Sequence, residues 1–470
     1  MLAKKAELIK CQITKLGITN DKLTGRAGLH FLSRYVKSTG ILDILSQKFS
    51  CLRKSLKGTP LVKMFHQLIC YFLNGESFHL THFDQLKKDS GYSGILELSE
   101  KQMLSSHAVK RFFGSFRISQ SLQLRKILEN LFIWQLKKEQ PKRIILGLDT
   151  MVMDNDDALC REGVDPTYKK VKGFQPLHLY WGRFIVDTIF RNGSAHSNHG
   201  NNVKRVITNA IRLIRKNYSA DVPIILLADT GFFDQKLFLL CTELEIGFIV
   251  GGKMYSDIME KIAETPNKCF AEYKVGKNIW FTLDFKDQRK SWDSSWRCIY
   301  TKPRNNDSGQ VLLDFARPES LIYTNLGMDN IITQKILKMK SGEFISPELI
   351  ISAYHNRACD ELVNRAFKDF GTEQLPFKGF AENSAFYYLM TIAFFLFESF
   401  KYDMDSELIP ITWYPTTFRR NFIDAAGKIV CTARQIILKV TASFHENFNL
   451  AEIWEKLLIP VILPVIFRET

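Results

Sequence analysis

The 470-residue chain is 46% hydrophobic and 24% charged, with 36 Phe and only 14 Pro. That composition excludes disorder over most of the length, and the length excludes a single compact core, so two to four domains are expected. The formal charge of +15 is unevenly spread: residues 1–140 hold 23 Lys+Arg against 10 Asp+Glu, and the rest is nearly neutral. A basic segment on a neutral body points either to a polyanionic partner or to a generally basic solvated surface.

Residues 1–140 read as helical. "TPLVKMFHQLICYFLNG" offers Thr59 as N-cap, Pro60 at the first helical position and Gly75 as a stop. "SSHAVKRFFGSF" sets Val109, Phe112 and Phe113 on one side of a short helix and Lys110 and Arg111 on another. Two readings stand side by side: a helix presented to DNA, as in a helix-turn-helix, or a core helix with two exposed cations. A long amphipathic stretch, "ISQSLQLRKILENLFIWQLKKE", closes the region.

The pattern changes at residue 143. "RIILGLD" is a buried strand ending in Asp149, and a hairpin is expected within 174–190. "RNGSAHSNHGNN" is a loop, and "NVKRVITNAIRLIRKNY" an amphipathic helix. "VPIILLAD" is a second buried strand ending in Asp229, followed by a helix capped by Asp234 and the short strand "IGFIVGG". Strands alternating with helices predict an α/β sheet covered on both faces. From 252 to 345 short β-prone runs replace that rhythm and read as a mainly β insertion. Helix returns at Ser346, with Pro347 in its first turn, and ends near Gly371; the tail from 380 to 470 reads as mostly helical, with Pro460 and Pro464 near its end.

The nine cysteines are scattered, with no C-x-x-C, as expected for reduced cytoplasmic thiols. His79 and His82 lack the neighbours a zinc site needs. "MLAKKAELIKC" has no apolar stretch of a signal peptide. The longest apolar run, residues 385–397, is too short to span a bilayer and reads as a buried helix, so no membrane partner is expected.

Asp149 and Asp229 share a setting. Each closes an aliphatic run and is followed at once by Thr ("LDTMV", "ADTGFF"). Open α/β sheets bind ligands at the carboxyl ends of their strands, and a charge held there demands a cation or hydrogen bonds. A single such Asp also serves as a turn or helix cap; two on one sheet point further. Asp154, Asp156 and Asp157 sit in a polar turn and read as solvated.

"YHNRACDELVNRAFK" supplies a third carboxylate. Helical spacing puts Tyr354, Arg357, Glu361 and Lys368 within about 60° of one another, with Cys359, Val363, Ala366 and Phe370 opposite. Asp360 points about 100° away from Glu361. An exposed stripe with an Arg357–Glu361 pair is one reading. The other joins Asp149, Asp229 and Glu361 as oxygen ligands of two Mg2+ or Mn2+ ions, with Arg357 and Lys368 holding phosphates beside them.

The spacing Tyr354-x2-Arg357-x3-Glu361-x6-Lys368 resembles the Y-x2-R-x3-E-x6-K signature of a large group of bacterial insertion-sequence DDE transposases. "LLADTGFF", "RNGSAHSNHGN" and "SSHAVKRF" are similar to stretches of the DDE domain group 1 branch of that group. The resemblance implies an α/β, RNase H-like catalytic core with a mainly β insertion, flanked by helical N- and C-terminal regions. The implied division is 1–140 for DNA binding, 141–251 and 346–400 for the core, 252–345 for the insertion and 401–470 for a helical tail. It implies Asp149, Asp229 and Glu361 as catalytic metal ligands for two Mg2+ or Mn2+ ions. It further implies DNA contacts by Tyr354, Arg357 and Lys368, terminal inverted repeats and target DNA as partners, a homodimeric active complex, and a bacterial, cytoplasmic, nucleoid-associated location. Relatives stack a flipped base on an insertion-domain Trp, for which Trp280, Trp292 and Trp296 are the candidates, each also fit for a core role. Lys110 and Arg111 are the candidate end-recognition cations. The alternative function is a catalytically silent DNA-binding relic or regulator; a host nuclease with the same core is a third.

Overall fold

In the computed structural model, described for residues 13, 15–53, 57–157, 160–198, 200–275, 278–303, 319–339, 345–404, 409–432, 434–460 and 463, aliphatic runs form a central nine-stranded sheet. Its strands are β1 (Ile144–Thr150), β2 (Leu177–Trp181), β3 (Phe184–Ile189), β4 (Ile224–Ala228), β5 (Gly247–Gly251), β6 (Ala271–Val275), β7 (Asn278–Asp287), β8 (Trp296–Pro303) and β9 (Ser320–Thr324). The order is β6-β7-β8-β9-β5-β4-β1-β2-β3. β1, β2 and β3 form an antiparallel meander, and β1, β4 and β5 run parallel. This is the 3-2-1-4-5 order of an RNase H-like core. His199, Pro464 and residues 310–318 lie outside the described residues.

Nine helices position the site: α1 (Leu61–Asn74), α2 (Ser106–Phe113), α3 (Ile118–Glu139), α4 (Asn202–Asn217), α5 (Gln235–Glu243), α6 (Ile331–Lys338), α7 (Pro347–Asn356), α8 (Ala358–Phe370) and α9 (Phe380–Asp403). Strand alternation decides which face each covers. Ile144, Leu146, Ile224, Leu226 and Phe248 point to the side of α4 and α5, where Phe238 stacks on Phe248 at 4.5 Å. Ile225, Leu227 and Ile249 point the other way, onto Ile332 and Ile336 of α6 and Ile350 and Ile351 of α7. The apolar run 385–397 lies in α9. This helix is long and apolar enough to cross a bilayer, yet most of it is buried inside the protein against α1 and α3.

The strands before Asp149 and Asp229, the short strand at 247–251, the 174–190 hairpin and the Asp234 cap form. Four details go beyond expectation or depart from it. α1 begins one residue late: Pro60 is the capping residue, with φ −58° and ψ 149°, because its fixed φ suits the extended entry as well as the first turn. The β-rich stretch 252–345, expected as an insertion with no pairing specified, continues the central sheet outward through β9, which pairs antiparallel with β5. The tail contains a β-hairpin, Gly427–Thr432 with Gln435–Val440, which pairs with Lys22–Thr24 near the other end of the chain. The helix from Ser346 breaks at Arg357 into α7 and α8.

Arg419 ties the C-terminal segment to α1 and α8. It is 7% exposed. Its guanidinium donates to the carbonyls of Phe72 (2.7 Å) and Leu73 (3.2 Å) at the end of α1, and of Asp369 (3.1 Å) and Phe370 (2.6 Å) at the end of α8. Helix C-termini leave such carbonyls without partners, and one planar fork satisfies both helices. Arg419→Ala should therefore cost about 3–5 kcal/mol, read as a lowered urea midpoint. Arg419→Lys should recover only part of it, since one ammonium cannot span four carbonyls. A midpoint unchanged in Arg419→Ala would refute the stitch.

Candidate active site

β1 and β4 are neighbours in the sheet, and their register pairs Leu148 with Ala228. The next residues along each strand, Asp149 and Asp229, therefore stand side by side at the carboxyl edge, about one strand spacing of ~4.8 Å apart at the backbone. Asp149 accepts from its neighbour's amide, Thr150 N, at 2.7 Å, and from Asn364 Nδ2 of α8 at 3.3 Å. Behind Asn364 runs a buried polar chain: Tyr180 Oη donates to Asn364 Oδ1 at 2.5 Å, and His178 Nδ1 lies 2.8 Å from Tyr180 Oη. Burial pushes His178 down to about 3, so it is neutral. Asp229 caps the short 3-10 turn Thr230–Phe232 and accepts from Gly231 N at 2.9 Å.

Each carboxyl feels the others. Burial chiefly, with the Asp229 charge next, raises Asp149 to about 6; Glu361 adds to this, and the Thr150 amide and Arg357 oppose it. Asp229 is also raised by burial, against Arg357 and the backbone amides, with Glu361 adding a further push. Glu361, in the first turn of α8, thus lies within electrostatic reach of both strand-end aspartates, and its side chain is exposed. The sheet and the helix bring the three expected carboxylates to one end of the fold.

Arg357 occupies the break between α7 and α8. It draws down all three of Asp149, Asp229 and Asp360. Its Nε is buried without a hydrogen-bond partner, and its guanidinium sits 5.8 Å from the Tyr354 ring. Tyr354 is half-buried, and its hydroxyl approaches the end of β5: a Cβ built on Gly251 would lie 2.3 Å from Tyr354 Oη and 2.6 Å from Thr230 Oγ1. Lys368 lies two turns further along α8, paired at 2.5 Å with Glu373. On the opposite side Val363 and Phe370 are buried and Ala366 is half-buried, as the spacing predicts.

Asp360 departs from its expected place. It does not merely point away from Glu361; it is 8% exposed and pressed against Gly147 of β1, with Oδ2 lacking a partner. Burial, then Asp149, push its carboxyl up to about 7. The signal was Gly147 itself, since a glycine within a strand marks a close approach. Tyr168 was missed altogether. It is 62% exposed, and partial burial, then the charges of Asp149, Asp229 and Glu361, raise its pKa, so it lies within their electrostatic reach. Ser197, from the loop before α4, also reaches this edge: its Oγ would lie 3.0 Å from a Cβ on Gly231.

The other candidates are spread out. Lys110 and Arg111 are exposed on α2, whose Phe113 packs on Phe377 and Phe386 at 5.2 and 5.5 Å. Trp292 is half-buried 5.7 Å from Phe233, just past the Asp229 turn, with the Arg289 guanidinium 5.3 Å from its ring. Trp296 is 5% exposed, edge-on to Phe238 and Phe248, which leaves no ring face for a base. Trp280 is likewise buried, 5.8 Å from His355. Asp154, Asp156 and Asp157 are exposed.

The donor set is all oxygen, which suits Mg2+ or Mn2+, and three mutually repelling carboxyls at a strand edge are relieved by a cation. In the arrangement present, no three His, Cys, Asp or Glu side chains among the described residues converge closely enough to hold an ion. The residues fit the metal in kind and neighbourhood; the final closure is not made.

A family model described as "Transposase DDE domain group 1" matches residues 10–458. The chain belongs to that transposase family. No curated protein sequence matches it. Among solved structures, this DDE transposase family member is similar to a chain in "Cryo-EM structure of piggyBac transposase synaptic complex with hairpin DNA (SNHP)". The two are 12% identical, over 96% of this chain and 89% of the other, with a TM-score of 0.36.

Proposed function

We propose that this chain is the cut-and-paste transposase of a bacterial insertion sequence, acting as a homodimer on double-stranded DNA at terminal inverted repeats and target sites. The observation that carries the reading is the pairing of Leu148 with Ala228 on adjacent parallel strands, which sets the next residues, Asp149 and Asp229, side by side, with Glu361 in electrostatic reach of both. Two Mg2+ or Mn2+ ions held by these three carboxylates would activate the attacking hydroxyl and stabilise the leaving oxygen. Glu361 is exposed, so a change of rotamer brings it inward without disturbing packing.

The chain's own groups do the positioning. Asn364 fixes one oxygen of Asp149. Arg357 and Tyr354 hold the scissile phosphate beside the carboxylates, and Lys368 a phosphate further along. Lys110 and Arg111, in the basic segment 1–140, serve end recognition. Trp292 is the favoured base-stacking residue, because it is the most accessible of the three candidate tryptophans. Action on bacterial DNA sets the site of work at the nucleoid, in the cytoplasm.

The test is a nicking assay on DNA carrying the two ends that flank the gene. With Mg2+ the protein should cut at the terminal repeats, and chelation of the metal should stop it while binding persists. Specific binding without nicking in either Mg2+ or Mn2+ would replace this reading with the DNA-binding relic.

A further inference from the structure

A groove of about 800 Å3 runs between α3 and α4, lined by Arg125, Lys126, Lys204, Arg205, Arg212 and Lys216. Its origin is the amphipathic pattern of α4. Val203, Val206, Ile207, Ala210, Ile211 and Ile214 are buried beneath the helix. Lys204, Arg205, Thr208, Arg212 and Lys216 fall within an arc of about 120° on the opposite side. Lys204, Arg205 and Lys216 are exposed.

Six cations and one carboxylate line this groove. Arg125 donates to the buried Asp187 in a bidentate pair with both contacts at 2.6 Å. Glu129 accepts from Asn209 at 2.9 Å and is the one carboxylate lining the groove. Thr208 lines the same wall, and its Oγ1 has no hydrogen-bond partner. From Lys204 to Lys216 the cations span about 18 Å of helix axis. Over that length one strand of duplex DNA carries roughly five phosphates.

The groove also begins beside the active site. Ser197, next to Gly231 and hence to the Asp229 turn, is only four residues before Asn201, which lines the groove. Four residues of chain reach at most about 14 Å. A strand leaving the carboxylates can therefore continue onto α4.

We propose that the α3–α4 groove is a sequence-independent track for the phosphate backbone of duplex DNA, separate from Lys110 and Arg111 of α2. The ligand class rests on the transposase reading; the groove itself does not depend on cleavage. The probe is a short random-sequence duplex, with affinity followed by fluorescence anisotropy across a salt series. Lys204→Glu/Arg205→Glu/Lys216→Glu should weaken binding at least about tenfold at low salt, and lower the slope of log K against log salt by up to about 3. The variant should keep the thermal midpoint of the unaltered protein, because the three side chains are exposed. Lys428→Glu/Lys439→Glu/Lys456→Glu, on the distant C-terminal segment, changes net charge equally and should leave the slope nearly intact. An unchanged slope in the groove variant overturns the proposal, and so does an equal loss in the distant variant. If the unaltered protein fails to nick element ends while the groove variant alone loses its slope, the functional reading falls and the groove stands.

Discussion

Asp149→Ala, Asp229→Ala and Glu361→Ala should each lower strand cleavage by about a thousandfold or more, the equivalent of about 4 kcal/mol of transition-state stabilisation. Binding to the terminal repeats should survive, because the N-terminal cations are untouched. Cleavage at the unaltered rate by any of the three removes that residue from the triad. Asp149→Asn adds an independent readout. Burial and Asp229 raise the Asp149 carboxyl to about 6, against an ordinary value of about 3.9. Between those values the native state holds more protons than the unfolded chain. The stabilising effect of the neutral carboxyl is complete below about pH 4 and is lost as pH rises through about 6. The two-unit rise, discounted for partial exposure, is worth about 2 kcal/mol in the ion-free protein. Asp149→Asn should abolish cleavage and also remove that share of the pH dependence of the urea midpoint. A midpoint profile identical in shape to the unaltered protein's would place Asp149 in solvent and undo the electrostatic description of the site.

Why so much of this was legible follows from where the signals lie. The aliphatic runs ending in Asp149 and Asp229 are local, and their near-continuous apolar character marks buried strands without help from the rest of the chain. The Tyr354–Lys368 row is likewise local, apart from the break at Arg357. What spacing could not show is pairing. β9 extends the central sheet through β5, and the hairpin 427–440 joins Lys22–Thr24; both depend on contacts between residues far apart in the sequence. Tyr168 comes within electrostatic reach of the carboxylates from a loop whose path no periodicity describes. Helical spacing gives only the angle between Asp360 and Glu361; which side of α8 meets the sheet depends on the space at Gly147.

That space makes Gly147→Ala the sharpest structural test of how Glu361 is held. A Cβ at residue 147 would lie 2.1 Å from Asp360 Oδ2 and 2.6 Å from its Cγ, far inside van der Waals contact. Asp360 is short and buried, so it has little room to turn aside, and α8 must back away from β1. Glu361 is the next residue and retreats with it. A displacement of about 1 Å at a reacting group can cost about a hundredfold in rate. Gly147→Ala should lose cleavage on that scale while keeping repeat binding. Adding Asp360→Ala removes the colliding carboxylate and should restore most of the rate. If Gly147→Ala alone cleaves normally, contact with β1 is not what positions α8. If the double variant stays inactive and Asp360→Ala alone is equally so, Asp360 is itself a fourth carboxylate of the site rather than a spacer beneath it. The unpartnered Oδ2 and the pull of Arg357 on its charge make that second outcome chemically coherent, and only the pair of variants separates the two roles.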